Sequence, residues 1–230
     1  MLSENNIYYP ERMNGKELDD FLEMGWYRIG QSIFTTHFVL LNDYIYRVFW
    51  LRYNLKNVTL TKSQQRLKNT NKQFNVSVKP LEITDEIENL YADYKACINF
   101  QAPISVHYSL YGDQPPTNVF DTEMIEIRDK DKLIAVGVAD LGAETIAGIM
   151  NFYHPEYKRF SLGKYLMILK IELGLQRNFR WYYPGYIVYQ KPEFDYKLSF
   201  DKRAVEILIP ELEGWQLYQR RFIDEYGVVI

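Results

Sequence analysis

Cysteine is almost absent from this sequence: Cys97 stands alone. A single thiol cannot close a disulfide within the chain, and it cannot hold a zinc or iron–sulfur centre that needs several thiolates. Histidine is nearly as scarce, limited to His37, His107 and His154, so neither a metal nor another cofactor is expected. Cys97, within Tyr94-Lys95-Ala96-Cys97-Ile98, reads as a buried core residue. Long apolar runs are missing as well. No stretch reaches the roughly 20 residues of a membrane span, and Met1-Leu2-Ser3-Glu4-Asn5-Asn6 lacks the basic-then-apolar order of a secretory leader. The expectation is a cytoplasmic protein with no membrane partner. Repeats and low-complexity tracts are also absent. So is a basic excess: 27 Lys and Arg against 30 Asp and Glu leave a net charge of −3. Any contact with RNA must therefore come from a local patch.

What the sequence does have is aromatic surface. Aromatic residues make up 16% of the chain and include 20 tyrosines, which favours strands and half-wet faces. Asn14 to Met24 reads as a short helix capped by Asn14 and stopped at Gly25. Trp26 to Thr36 reads as a hairpin turning near Gly30-Gln31, and Tyr44 to Tyr53 as a strand. Thr61-Lys62-Ser63-Gln64 has capping-box spacing and opens a basic helix through Arg66, Lys68 and Lys72. Phe74 to Val78 alternates, and Thr84 to Phe100 has helical spacing. The loop Tyr111-Gly112-Asp113-Gln114-Pro115-Pro116 divides an N-terminal α+β region, 1–110, from a second region, 111–230.

The second region carries the stronger pattern. Thr122 to Arg128, Leu133 to Asp140 and Thr145 to Tyr153 are strand candidates joined by turn sequences, which makes a meander. Ser161 then caps a helix marked by Leu162, Tyr165, Leu166, Leu169, Ile171 and Leu173, and Trp181 to Tyr189 returns to strand. This order resembles the core of the Gcn5-type N-acyltransferase fold, an α+β architecture. At the helix start, Phe160-Ser161-Leu162-Gly163-Lys164-Tyr165 offers unpaired amides and a positive dipole end, and Gly163 leaves room for a phosphate. The alternative is structural: Ser161 only caps and Gly163 only permits close packing.

Several short motifs stand in a telling order: Phe152-Tyr153-His154-Pro155, Ser161-Leu162-Gly163-Lys164-Tyr165, Pro184-Gly185-Tyr186 and Tyr196-Lys197-Leu198-Ser199-Phe200. Upstream lie Gly25-Trp26-Tyr27-Arg28-Ile29-Gly30 and Ser63-Gln64-Gln65-Arg66. Together they resemble the arginyl-tRNA-protein transferases and their bacterial leucyl relatives, from about Gly25 to Phe200. The resemblance implies transfer of an amino acid from aminoacyl-tRNA to the N-terminal α-amine of an acceptor protein. That amine must be neutral to attack, and its unperturbed pKa is roughly 8. By the same resemblance Ser161, Gly163 and Lys164 would meet phosphate or the acceptor end, and Ser63, Gln64 and Arg66 would meet tRNA or frame the pocket. Tyr153, Tyr186, Tyr196 and Lys197 would line the reaction cleft. Read structurally, Tyr153 and Tyr186 are core tyrosines, Lys197 pairs with Asp195 or Asp201, and Arg66 lies on a solvated face.

The chain also departs from that family. Paired cysteines usually follow the glycine-aromatic-arginine opening, whereas Thr35-Thr36-His37-Phe38 and Tyr44-Ile45-Tyr46 occupy that region here. Any thiolate-held cofactor is lost with them. His154 replaces an aspartate, as a base near neutral pH or as a turn residue, and Pro184 replaces a leucine. Two other readings stay open: an acyl-CoA-dependent N-acyltransferase using the same helix start for pyrophosphate, and a non-catalytic binding descendant.

Overall fold

The computed structural model describes residues 6–41, 43–100, 102–117 and 119–227. Residues 1–5, on which most of the leader expectation rested, lie outside the described residues. Asn14 caps α1 (Gly15–Glu23), its side-chain oxygen accepting from the Glu17 amide at 3.3 Å. Leu18 and Leu22 turn into the core. The chain leaves the helix through Gly25 at φ 79°, where a Cβ would also run into Leu208. β1 (Ile7–Tyr8), β2 (Tyr27–Ile29) and β3 (Ser32–Phe34) form a small antiparallel sheet in the order β1-β3-β2, with the expected hairpin turn between β2 and β3.

The remaining strands are β4 (Phe38–Leu41), β5 (Tyr44–Asn54), β6 (Asn75–Pro80), β7 (Thr122–Asp129), β8 (Lys132–Leu141), β9 (Thr145–Tyr153), β10 (Trp181–Val188), β11 (Val205–Ile209) and β12 (Gly214–Leu217). They make one nine-stranded sheet in the order β12-β11-β5-β10-β9-β8-β7-β6, with β4 paired to β5. Strands from both sides of residue 110 share it: β5 lies between β10 and β11, and β6 flanks β7. β5 takes that place because aromatic and aliphatic side chains fill both faces of its second half, as a central strand requires.

Helices α2 (Lys62–Asn71), α3 (Asp85–Ala96), α4 (Val106–Tyr111), α5 (Leu162–Gln176) and α6 (Arg220–Tyr226) complete the chain. The α2 capping box is present, with Thr61 and Gln64 satisfying each other's amides. β7, β8 and β9 form the expected meander, and α5 carries the chain across to β10, parallel to β9. This is the N-acyltransferase-like α+β core. α5 is buried on more than one face, because the sheet packs on one side and α2 on another.

Two expectations are corrected. Ser161 does not cap α5: it sits at φ 49°, ψ 45° and its side chain makes no capping bond. An N-cap needs extended backbone to bring its oxygen over the amides, whereas Ser161 is the left-handed link between the three-ten turn Pro155–Phe160 and α5. Cys97 is exposed, not buried. α3 ends at Ala96, short of the expected Phe100, so Cys97 falls on the cap where the buried face has run out.

Candidate active site

The parallel strands β9 and β10 meet over only three residue pairs, Trp181 with Thr145, Tyr182 with Ile146 and Tyr183 with Ala147. Beyond these they part. Two irregularities separate them. In β9, Val138 opposes Met150 and Ala139 opposes Gly148, so Ile149 is the extra residue of a bulge. In β10 the register with β5 shifts between Tyr182 and Gly185, and Gly185 adopts φ 97°. Strands that part leave carbonyls without ladder partners, and buried carbonyls need donors. Two side chains supply them. From one face the Tyr27 hydroxyl donates to the Gly148 carbonyl at 2.6 Å, with the Tyr183 carbonyl 2.9 Å away sharing the proton. From α5 the Lys170 ammonium donates to the Val138 carbonyl (2.7 Å), the Met150 carbonyl (3.0 Å) and Asn151 Oδ1 (2.9 Å). Lys170 is 0% exposed, and burial pushes its pKa down to about 7.

A cavity of about 300 Å³ opens where the strands part. Tyr186, Tyr196 and Lys197 line it, together with Trp50, Asn151 and Tyr182. Lys197 belongs to the three-ten turn Pro192–Leu198, anchored by Leu198 and Phe200 in the core and by the Tyr53 hydroxyl donating to the Lys197 carbonyl at 2.5 Å. Its Nζ lies 4.7 Å from the Tyr196 ring centre, 4.9 Å from Phe194 and 5.9 Å from Tyr186, an aromatic cage. Burial pushes the Lys197 pKa down to about 8, with no carboxylate beside it to push back. Neither expected partner is engaged: Asp201 pairs with Arg203 at 2.8 Å and accepts from the Thr59 hydroxyl at 2.6 Å.

The other expected site residues lie elsewhere. Tyr153 does not line the cleft. It stands at the far end of β9, its ring 5.5 Å from that of Tyr94 and 3.5 Å from where a Gly163 Cβ would sit. Ser63, Gln64 and Lys164 share a smaller cavity of about 130 Å³ on the other side of the Tyr196–Phe200 segment. Gln64 is engaged there, accepting from the Thr61 amide at 2.8 Å and donating to the Ser199 carbonyl at 2.6 Å. Arg66 points to solvent and Ser161 is exposed. Lys62 and Arg66 on α2, Lys72 just past its end, Lys158 and Arg159 on the turn before α5, and Lys164 on α5 are exposed and form no ion pair among the described residues. His154 is a turn residue, accepting from the Glu156 amide at 3.4 Å.

Tyr27, Asn151, Lys170 and Tyr182 were not singled out from sequence. One signal was available: Lys170 sits four residues after Leu166 and three before Leu173, a lysine on the apolar stripe of a buried helix. Among the described residues no helix is long and apolar enough to cross a membrane, and no three His, Cys, Asp or Glu side chains converge as metal ligands would.

The family described as arginine-tRNA-protein transferase, C terminus, matches residues 86–207. The aspartate/glutamate leucyltransferase of Campylobacter jejuni subsp. jejuni serotype O:23/36 (strain 81-176) is 24% identical over 204 residues, covering 86% of this chain and 82% of that protein. The protein of the same name from Shewanella sp. (strain MR-7) is 27% identical over 176 residues, covering 74% and 69%. Among solved structures, L-PGS from Bacillus licheniformis is similar at TM-score 0.42 and 11% identity, over 61% of this chain and 48% of that one. The ribosomal-protein-S18-alanine N-acetyltransferase from Escherichia coli is similar at TM-score 0.33 and 16% identity, over 45% and 61%.

Proposed function

The chain belongs to the arginine-tRNA-protein transferase family, and from that premise we propose that it moves an amino acid from aminoacyl-tRNA onto the N-terminal α-amine of an acceptor polypeptide. The observation that carries this reading is the caged Lys197 in the cleft between β9 and β10, a basic group with no carboxylate partner. In the reaction the α-amine nitrogen forms a bond to the ester carbonyl carbon, and the carbonyl electron pair moves onto oxygen. The tetrahedral intermediate then collapses, breaking the bond to the terminal ribose oxygen. One proton must leave the amine and one must reach that oxygen. Neutral Lys197 is suited to take the first and, as ammonium, to give the second. Tyr186 and Tyr196 line the site, and desolvation raises both hydroxyl pKa values so that they stay protonated.

The six unpaired cations around α2 and the start of α5 suit a tRNA backbone, with Arg66 and Lys164 among them. The free amides of Leu162 and Gly163 suit one phosphate, and Gly163 lets it approach, while the Lys164 amide already donates to the Ser161 carbonyl at 3.0 Å. Tyr153 supports this helix start. Gln64, bonded to the Ser199 carbonyl, holds the Tyr196–Phe200 segment that separates the two places, and Ser63 lines the smaller cavity beside it. The named relatives suggest leucine as the transferred residue and an acidic residue at the acceptor's N-terminus.

An acyl-CoA reading has the parted strands in its favour, because a narrow cleft there fits an acyl arm. Family and basic surface favour tRNA. The two separate in one assay. Labelled leucyl-tRNA and arginyl-tRNA are incubated with peptides beginning Asp, Glu or Ala, and acyl-CoA is titrated in parallel. Label entering an acidic peptide is the expected result. Binding of acyl-CoA alone sinks the reading.

A further inference from the structure

The Asn151 side chain has one end accounted for. The Lys170 ammonium only donates, so the atom that this form contacts at 2.9 Å is the amide oxygen. The Nδ2 group therefore faces away from Lys170. Among the described residues it donates to no protein acceptor, and it is not among the side-chain atoms sealed from solvent without a partner. Asn151 lines the cleft that holds Tyr186, Tyr196 and Lys197. A paired amide oxygen on the inner side and a free amide N–H₂ on the cleft side are what a carbonyl-binding group requires.

Lys170 is itself held. Its other two bonds reach main-chain carbonyls on two adjacent strands, Val138 of β8 and Met150 of β9, the opposed pair next to the bulge. Its stem lies on α5 in the fully buried core, and Gly137 leaves the room: a Cβ there would come within 3.0 Å of Asn151 Oδ1 and 3.3 Å of Lys170 Cε. The donor is thus held by its bond from Lys170, and Lys170 by two main-chain carbonyls and the room that Gly137 leaves, before substrate arrives. Preorganised donors of this kind act on charge that develops in the transition state without having to reorganise.

We propose that Asn151 donates its Nδ2–H to the carbonyl oxygen of the aminoacyl ester as it becomes an oxyanion, and that Lys170 is the positioning residue that aims it. The proposal rests on the aminoacyl-transfer reading above. In the step described there, the electron pair displaced from the carbonyl resides on the oxygen that Asn151 binds, and it returns when the ribose oxygen leaves. Asn151 neither gains nor loses a proton.

The test is steady-state transfer from leucyl-tRNA to an acidic N-terminal peptide by the full chain, with folding followed by circular dichroism. Asn151→Ala is expected to lower kcat on the order of 10²-fold to 10³-fold, with KM for both substrates held within about twofold. Asn151→Asp keeps size and the bond from Lys170 but turns the cleft-facing N–H₂ into an oxygen, so it should be at least as slow. Lys170→Met should lose activity to a similar extent, and the double variant Lys170→Met/Asn151→Ala no more than the worse single. A lysine that merely stabilised the fold would multiply its loss with that of Asn151. Should Lys170→Met fail to fold, the two Asn151 variants decide the donor role without it. Folded Asn151 variants retaining kcat within about threefold overturn the role of Asn151. Multiplying losses in the double variant overturn the role of Lys170. A wild-type chain that transfers no amino acid from either leucyl- or arginyl-tRNA overturns the transfer reading and this proposal with it.

Discussion

Lys197 and Lys170 are both lysines whose pKa burial lowers, yet they differ in surroundings and in consequence. Lys197, at about 8, borders open space, so its titration belongs to the rate. Both the Lys197 amine and the acceptor amine must be neutral, each about tenfold more so at pH 9 than at pH 7, so transfer should rise by roughly 100-fold between 7 and 9 before flattening. With saturating acceptor in single-turnover assays, Lys197→Met should leave only the limb set by the acceptor amine and slow the plateau on the order of 10²-fold. A variant with the wild-type profile would remove Lys197 from the chemistry. Lys170, at about 7 against an ordinary 10.5, borders only protein, so its titration belongs to stability. Between those values the unfolded chain binds more protons than the folded one, so folding stability should climb as pH rises from 7 towards 10. Lys170→Met lacks this climb. The difference in urea midpoint between the two should therefore widen with pH, and a constant difference would contradict the assignment.

Elements with strong periodicity were legible in the sequence, whereas the exact junctions between them were not. The meander, α5 and β10 follow from period-2 and period-3.6 patterns, and the α2 capping box from four residues, because these signals are local. Ser161 shows where local reading stops. Serine before an apolar run fits a cap, but the turn Pro155–Phe160 leads straight into α5 and forces its link residue into left-handed backbone. The site divides in the same way. Tyr186, Tyr196 and Lys197 stood out through short motifs, while Tyr27 and Lys170 act on carbonyls beside a bulge that no sequence pattern announces. The α5 start makes its own prediction. A Gly163 Cβ would sit 3.5 Å from the Tyr153 ring, an ordinary contact, so Gly163→Ala should fold normally and keep most donor binding. Gly163→Val adds branches where a phosphate would approach and should abolish binding of labelled aminoacyl-tRNA while circular dichroism stays unchanged. Equal binding by both variants would remove the phosphate from this helix start.

Across the whole molecule, Arg28 joins parts that are far apart in sequence. From β2 it donates to Asp140 at 2.8 Å, to the Thr122 hydroxyl at 2.9 Å and to the Leu110 carbonyl at 2.9 Å, tying the small sheet to β7, β8 and α4. Both Arg28 and Asp140 side chains are nearly sealed from water, at 4% and 0% exposed. Removing one partner of such a pair leaves a buried charge without compensation, so Arg28→Ala should cost about 3–5 kcal/mol in urea unfolding. Adding Asp140→Asn should recover part of that, and a double variant as weak as the sum of two singles would argue against the pairing. The parting of β9 from β10 has a mechanical side too. Three rungs, Thr145 to Trp181, Ile146 to Tyr182 and Ala147 to Tyr183, are all that lace β12-β11-β5-β10 to β9-β8-β7-β6. Tension drawn across the sheet concentrates on those rungs, and α5, packed on β8, β9 and β10 alike, is the brace that carries the rest of the load. Stretched between its two halves, this molecule would tear first along the seam that opens its cleft.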